Sequence, residues 1–135
     1  MHIAYIPGKD GKVVGLSKLN RIVEHFGRRG AIQEQLTVAI HNAINVICEG
    51  NIGVMVMIDS THNCVSCRGV KHQGASMVTS EVSGVFANHS KTAKQEVIYR
   101  FHNFSVSRSE YNVFGSNFFI VTHLTLFSSS NVYCL

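Results

Sequence analysis

The stretch Ile32–Asp59, IQEQLTVAIHNAINVICEGNIGVMVMID, changes its hydrophobic period part-way along. Its first part carries an apolar stripe at helical spacing, formed by Ile32, Leu36, Ala39, Ile40, Ala43 and Ile47. This spacing predicts an amphipathic helix that ends at the triplet EGN, residues 49–51. The following residues, NIGVMVMID, alternate and are rich in β-branched side chains, which predicts a strand. The chain thus passes directly from a helix to a strand.

A strand and a helix are predicted before this stretch. The alternating segment HIAYI, residues 2–6, ends at Pro7–Gly8 and is typical of a strand entering a turn. A helix follows, with Ser17 as its N-cap and Gly30 as its natural stop. Its apolar positions are Leu19, Ile22, Val23 and Phe26.

Further strands are predicted after the central stretch. THNCVSCRGV, residues 61–70, favours a strand or the entry to one, and ASMVTSEVSGVF, residues 75–86, favours another. Ser90 is a possible cap for a short last helix over residues 91–101. The order of strand, two helices and then strands indicates an α+β domain with an antiparallel sheet.

Composition changes after Phe101. Residues 102–135 are rich in Ser, Asn and Phe and keep neither the helical nor the strand period for long. They form either a poorly ordered tail or one apolar strand around residues 118–126. We therefore divide the chain into a domain over residues 1–101 and a divergent tail over residues 102–135.

The bulk composition limits the class of protein. The chain has 135 residues, 45% of them hydrophobic and 15% charged, which suits one domain with a buried core. The net charge of +4 suits an anionic small molecule as well as it suits nucleic acid. No basic run exceeds Arg28–Arg29, so we see no polybasic arm and expect no nucleic-acid partner. No signal peptide or membrane span is predicted. Four irregularly spaced cysteines do not form a disulfide framework, and we expect a cytoplasmic protein.

Two groups of polar residues are candidates for ligand binding. Lys18 and Arg21 lie three residues apart on one face of the first helix, near its N-terminal turn, where an anion is favoured. A solvated helix face explains that spacing as well. Gln33 and Glu34 open the second helix. An ionised Glu34 is either a favourable helix start or an acceptor for two adjacent N–H donors, such as those on the guanine edge.

The segment DSTHNCVSCRG, residues 59–69, contains a candidate chemical site. Cys64 and Cys67 form a CxxC pair, but no second pair follows, so a structural zinc clip is poorly supported. His62 and Cys64 are two residues apart and would project from the same side of a strand. Together they offer an imidazole for proton transfer and a thiolate for a metal, or they are two buried strand residues.

These motifs together resemble GTP cyclohydrolase I, in its C-terminal half. Four of them occur in order between His2 and about Phe101: GLSKxxR, QExLT, HxCxxxRG and the TS…GVF strand. The resemblance implies the tunnelling fold, an antiparallel sheet with two helices packed on one face, and a homo-oligomer, usually a decamer. It also implies conversion of GTP and water to 7,8-dihydroneopterin triphosphate and formate, a step toward folates or biopterin.

The resemblance also implies a role for each motif residue. His62 matches the histidine that donates and accepts protons, and Cys64 matches a ligand of the zinc that activates water. Glu34 matches the guanine anchor, with Gln33 beside it. The remaining substrate-binding positions, which hold the triphosphate, are Ser17, Lys18, Arg21 and Arg68. Cys67 matches a variable position and is interpreted as packing.

Three features depart from the family pattern. In the family, two further zinc ligands come from a CEHH-type motif upstream of the HIAYI strand, and this sequence begins after that position. A catalytic zinc site normally takes about three protein ligands, so we expect Cys64 alone to hold zinc weakly. The strand that pairs with residues 2–6 in the family also lies upstream, so we expect an uncovered sheet edge and poor solubility. Gln35 replaces the usual arginine.

Three functions follow from these observations. The first is a GTP cyclohydrolase I domain. The second is a non-catalytic, truncated module that oligomerises or binds a purine nucleotide. The third, another tunnelling-fold enzyme acting on a pterin or a deazapurine, is disfavoured by the HxCxxxRG motif.

Overall fold

The computed structural model of the chain describes residues 1–10, 13–62, 76–87, 95, 97–99 and 120–123, the last range as backbone. Within these residues one strand is followed by two helices and three strands. The elements are β1 (His2–Ile6), α1 (Leu16–Gly27), α2 (Gln33–Ile47), β2 (Gly53–Thr61), β3 (Ser76–Gly84) and β4 (Ile120–His123).

The strands form one antiparallel sheet in the spatial order β3-β2-β1-β4. In the central pair, Ile3 lies opposite Val56 and Tyr5 opposite Val54. In the β2–β3 pair, Ile58 lies opposite Thr79. The α+β class, the antiparallel sheet and the strands at residues 2–6, 53–61 and 76–84 agree with the prediction from sequence.

Both helices pack on one face of the sheet. Side chains alternate along each strand, so Ile3 and Tyr5 of β1 point to the helices while Ala4 and Ile6 point away. The helix-side core is completed by Leu19 and Val23 of α1, Ile40 and Ile44 of α2, and Val54, Val56 and Ile58 of β2. Burial of this apolar surface is the main force holding α1 and α2 on the sheet.

The opposite face of the sheet is also covered. Ala4, Ile6 and Met55 form a second buried cluster with Phe86 and Val97. Val97 lies in a helical segment, since residues 95 and 97–99 are helical. The rest of the predicted last helix, residues 91–94, 96 and 100–101, falls outside the described residues.

The buried face of α2 differs from the predicted stripe. Ile32 and Ile47 belong to that stripe but are 60% and 51% exposed. The helix instead buries Gln33, Thr37 and His41 beside Ile40 and Ile44. These polar side chains find hydrogen-bond partners on the sheet, which offsets the cost of removing them from water. Hydrophobic periodicity does not detect such a face.

The ends of α1 also differ from the prediction. Gly15, not Ser17, is the N-cap, and it has no side chain with which to cap the helix. Its carbonyl accepts a hydrogen bond from the Lys18 backbone N–H at 2.9 Å. Ser17 therefore lies within the first turn, and the half-buried Leu16 begins the helix because it packs against the core. The helix ends at Gly27, before Gly30, with Arg28 as C-cap.

Tyr5 fixes the segment that leads into α1. Its side chain is fully buried, and its hydroxyl accepts a hydrogen bond from the Val14 N–H at 2.8 Å. The same hydroxyl donates to the Val14 carbonyl, with a longer separation of 3.4 Å. This contact ties the approach to α1 to β1 and so sets where the first turn of α1 lies.

The outer edge of β1 is paired by β4. Strand β4 runs antiparallel to β1, with His123 opposite His2 and Val121 opposite Ala4. For residues 102–135 the alternatives are a poorly ordered tail or one apolar strand around residues 118–126, and the described residues 120–123 form a strand. The expectation that this edge is uncovered is wrong, because a segment distant in sequence pairs with it.

No helix in the described portion of the chain has both the length and the apolar character needed to cross a membrane.

Candidate functional site

The side chain of Gln33 lies at the centre of the polar contacts between α2 and the sheet. Its Nε2 donates to the Ile58 carbonyl at 3.0 Å and to the Met77 carbonyl at 2.9 Å. The Thr79 hydroxyl lies 3.1 Å from the same nitrogen. Two N–H groups thus serve three acceptors on two adjacent strands, and Gln33 is buried. The amide therefore anchors the start of α2 over β2 and β3.

The two carbonyls also fix which way the Gln33 amide points. A backbone carbonyl can only accept, so the amide atom facing Ile58 and Met77 is the NH₂ group. Oε1 then faces the end of β2, where it accepts from the Ser60 hydroxyl at 2.6 Å. His62 Nε2 lies 2.9 Å from the same oxygen. The structure thus brings together two of the predicted site residues, Gln33 and His62.

Glu34 lies in the first turn of α2, directly after Gln33, and its side chain is exposed. Ile32, the N-cap of α2, makes no side-chain hydrogen bond to the helix. The Glu34 carboxylate is therefore near backbone N–H groups that stabilise a negative charge. Within the described residues this carboxylate forms no ion pair, and the side chain is exposed.

The other predicted binding residues in the described part of the chain lie in the N-terminal half of α1. Ser17, Lys18 and Arg21 are all exposed, and the first turn holds no acidic residue. Their side chains make no hydrogen bond or ion pair with the parts of the chain that the structure describes. At the other end of α1, by contrast, Arg28 lies 3.9 Å from Glu24. The charges of Lys18 and Arg21 are thus not neutralised by described neighbours.

Two predicted site residues, Cys64 and Arg68, lie outside the described residues, as does Cys67. The residues that are described contain no group of three or more His, Cys, Asp or Glu side chains able to hold a metal ion. The described donor set therefore does not amount to a zinc site. Cys64 stays the predicted ligand.

Several members of this site are not predicted from the sequence. Ser60, Thr37 and Thr79 all contact Gln33, the first two at 2.6 and 2.7 Å, yet none was predicted. Thr37 lies one helical turn after Gln33, and that spacing alone was available to suggest a shared face. Ser60 and Thr79 become neighbours of Gln33 only through the strand pairing.

A second polar cluster lies further along α2. His41 is buried, and its Nε2 is 3.0 Å from the Ser83 hydroxyl of β3. Asn45 donates to the His41 carbonyl at 3.1 Å, and Asn51 donates to Asn45 Oδ1 at 3.2 Å. This cluster satisfies buried polar groups where α2 crosses the sheet and extends the attachment that Gln33 begins.

Comparison with known proteins decides the family. The sequence model of GTP cyclohydrolase I matches residues 1–101, which is most of the chain. The chain belongs to the GTP cyclohydrolase I family. The matched region contains both helices, strands β1 to β3, and all of the predicted site residues.

Individual relatives agree with this family assignment. It is 47% identical over 94 residues to GTP cyclohydrolase 1 of Chlorobaculum tepidum, covering 70% of this chain and 41% of the relative. The enzymes so named from Halalkalibacterium halodurans and Bacillus mycoides are 46% and 44% identical over 97 residues. Both alignments cover 72% of this chain and 50% of the relative. The chain thus spans half or less of the length of these relatives.

Proposed function

We propose that this chain carries a catalytic domain of GTP cyclohydrolase type, which converts GTP and one water to 7,8-dihydroneopterin triphosphate and formate. In this proposal residues 1–101 form the catalytic domain and residues 102–135 form a divergent tail. The domain adopts the tunnelling fold and works in the cytoplasm as a homo-oligomer. The reaction opens the imidazole ring of the purine, and carbon C8 leaves as formate.

One observation carries the proposal: the hydrogen bond of 2.9 Å between His62 Nε2 and Gln33 Oε1. It holds the imidazole against the first residue of α2, next to Glu34 in the sequence. A proton-transfer group is thus fixed close to the helix start that bears the candidate guanine anchor. General acid–base catalysis needs such a positioned group, and histidine is the commonest one.

Each remaining residue has a binding role. Glu34 accepts two N–H donors from the guanine edge through its two carboxylate oxygens. Ser17, Lys18 and Arg21 of α1, together with Arg68, hold the triphosphate. Charge-assisted hydrogen bonds of this kind are stronger than neutral ones and suit a highly charged substrate. The exposure of Ser17, Lys18 and Arg21 supports this role, because their side chains are available to a ligand.

Cys64 is the zinc ligand that we propose in this chain. When bound, zinc would supply activated water for attack at C8. The described residues contain no complete ligand set for the metal. The steps assigned to this chain are binding of the nucleotide and transfer of protons by His62.

The test is GTP turnover by the full chain with added zinc, with formate and oxidised neopterin measured separately. We expect His62→Asn to lose turnover but keep GTP binding by calorimetry. His25→Asn is the matched control, because His25 is an exposed histidine on α1 whose Nε2 contacts Arg29 at 3.0 Å. Turnover of His62→Asn at the rate of the unchanged chain would refute the proton-transfer role.

The calorimetric measurement of GTP binding separates the enzyme from the non-catalytic module. GTP binding without formate release would indicate the non-catalytic nucleotide-binding module instead of the enzyme. Absence of both binding and turnover would contradict the enzyme and the nucleotide-binding form of the module, and would leave only a module that oligomerises.

A further inference from the structure

Gln33 is grouped by family resemblance with the substrate-binding residues, but its side chain is fully used within the protein. Its two N–H groups face the Ile58 carbonyl, the Met77 carbonyl and the Thr79 hydroxyl, at 2.9 to 3.1 Å. Its amide oxygen accepts from both Ser60 and His62. An amide has two donors and two acceptor lone pairs, so no capacity remains for a substrate. Gln33 is also buried, with only 7% of its surface exposed.

The orientation of the amide determines where the proton sits on His62. The two strand carbonyls hold the NH₂ group toward themselves, so the atom presented to His62 is an oxygen, which can only accept. His62 Nε2, 2.9 Å away, must therefore carry a hydrogen. In a neutral imidazole the other ring nitrogen, Nδ1, then bears the free lone pair. Nδ1 forms no hydrogen bond with the described part of the chain.

We propose that Gln33 is a positioning residue that acts through His62 and does not bind substrate. It holds the imidazole in the Nε2–H tautomer and leaves Nδ1 as the atom that accepts and returns the proton. The backbone carbonyls of Ile58 in β2 and Met77 in β3 orient the Gln33 amide, and the orientation of the amide selects the tautomer of His62. This inference rests on the proposed function in one respect only, the use of Nδ1 in the reaction.

The first test reads the tautomer and needs no activity. The full chain is labelled with ¹⁵N in its histidine rings, and the His62 resonances are assigned as those lost in His62→Asn. We expect a protonated Nε2 and an unprotonated Nδ1 at a pH where the ring is neutral. The opposite tautomer in the unchanged chain would overturn the proposal.

The second test compares two variants that each remove one contact of the same oxygen. Gln33→Met keeps the length of the side chain but removes the acceptor, so we expect the His62 ring to show a mixture of tautomers. Ser60→Ala removes the other donor to Gln33 Oε1 and leaves the His62 contact, so we expect an unchanged tautomer. Circular dichroism establishes whether Gln33→Met folds. If it does not fold, the ¹⁵N spectrum of the His62 ring in the unchanged chain still tests the proposed tautomer.

Kinetics distinguish positioning from substrate binding. If Gln33 positions His62, Gln33→Met lowers turnover by about 10²-fold, the lower end for loss of general acid–base catalysis, with GTP affinity unchanged. Weaker GTP binding together with an unchanged tautomer would assign Gln33 to the substrate and refute the proposal. Absence of turnover in the unchanged chain would count against the proposed function, and the tautomer measurement would still test the role of Gln33.

Discussion

The hydroxyl of Thr37 lies 2.7 Å from the hydroxyl of Thr79, and this contact joins α2 to β3 across the sheet face. Thr37 Oγ1 also donates to the Gln33 carbonyl at 2.7 Å, and this bond uses the only hydroxyl proton of Thr37. Thr79 must therefore donate to Thr37 and accept from Gln33 Nε2. The donor and the acceptor are thus assigned for every hydrogen bond among Gln33, Thr37 and Thr79. These bonds attach the start of α2 to β3.

We expect Thr37→Val to destabilise the fold by about 1–2 kcal/mol, because Gln33 O and Thr79 Oγ1 each lose a partner in a partly buried place. Urea unfolding of the full chain measures the change. A double-mutant cycle with Thr79→Val should show coupling between the two positions. Thr61→Val is the matched control, since Thr61 is exposed, and additive effects of the two core changes would contradict the assignment.

Ile44→Ala should be among the most costly substitutions in α2. Ile44 has no exposed surface and lies in the helix-side core, so truncation leaves a cavity that costs about 2–5 kcal/mol. Val46→Ala, two residues later, should change stability by less than about 0.5 kcal/mol because Val46 is 78% exposed. Urea unfolding measures both stability changes, from the shift of the midpoint at an unchanged dependence of the unfolding free energy on urea concentration. Similar costs at the two positions would show that α2 is rotated about its axis.

Stability should fall as the solution becomes alkaline. Burial raises the pKa of the Cys48 thiol above 9.0. Burial likewise raises the pKa of Tyr5 above 10.0, helped by Cys48 and opposed by the hydrogen bond to Val14. The folded state thus holds these protons more tightly than the unfolded state. Their contribution is complete below pH 9, and it is lost as pH rises from 9 through the raised values.

Cys48→Ala tests this pH dependence. Urea unfolding from pH 8 to pH 11 should show a shallower fall in the free energy of unfolding for Cys48→Ala, beginning near pH 9. Tyr5→Phe should flatten the part of the curve above pH 10, although it also loses the Val14 contact. An unchanged slope in both variants would show that these groups ionise equally well in the folded and unfolded states.

Deletion of residues 120–135 should promote self-association, because it uncovers the edge of β1 that β4 pairs. Unpaired strand groups at a sheet edge are a template for another chain. Deletion of residues 124–135, which keeps β4, is the control. Light scattering after gel filtration at several concentrations should show broad, growing species for the longer deletion alone. Identical profiles for the two deletions would contradict a role for β4 as an edge cover.

Loss of the two cations on α1 should weaken binding of the triphosphate. In the proposed site, Lys18→Ala with Arg21→Ala should cost about 1.5 kcal/mol per contact, or roughly tenfold for each, in GTP affinity. Binding of guanosine, which lacks phosphates, should not change. Arg28→Ala with Arg29→Ala removes the same charge from the opposite end of α1 and is the control. Equal losses in both double variants would indicate a general charge effect instead of a site.

The sequence by itself determined the order of the elements and the family. The change of period around residues 49–51 correctly predicted α2 followed by β2, and the alternation of residues 2–6 predicted β1. The four ordered motifs were sufficient to recognise GTP cyclohydrolase I, which the comparisons confirm. The hydrophobic periods and the motifs depend on residues that are close in the sequence, so they can be recognised without knowledge of the tertiary structure.

Only the tertiary structure decided which polar side chains meet. Gln33 contacts Ile58 and Thr79, 25 and 46 positions away, and β1 pairs with β4 from beyond residue 101. A buried polar group is tolerated only where partners are brought to it, and those partners lie on other elements. Apolar periodicity therefore misplaced the buried face of α2, because that face is satisfied by hydrogen bonds that exist only once the sheet has formed.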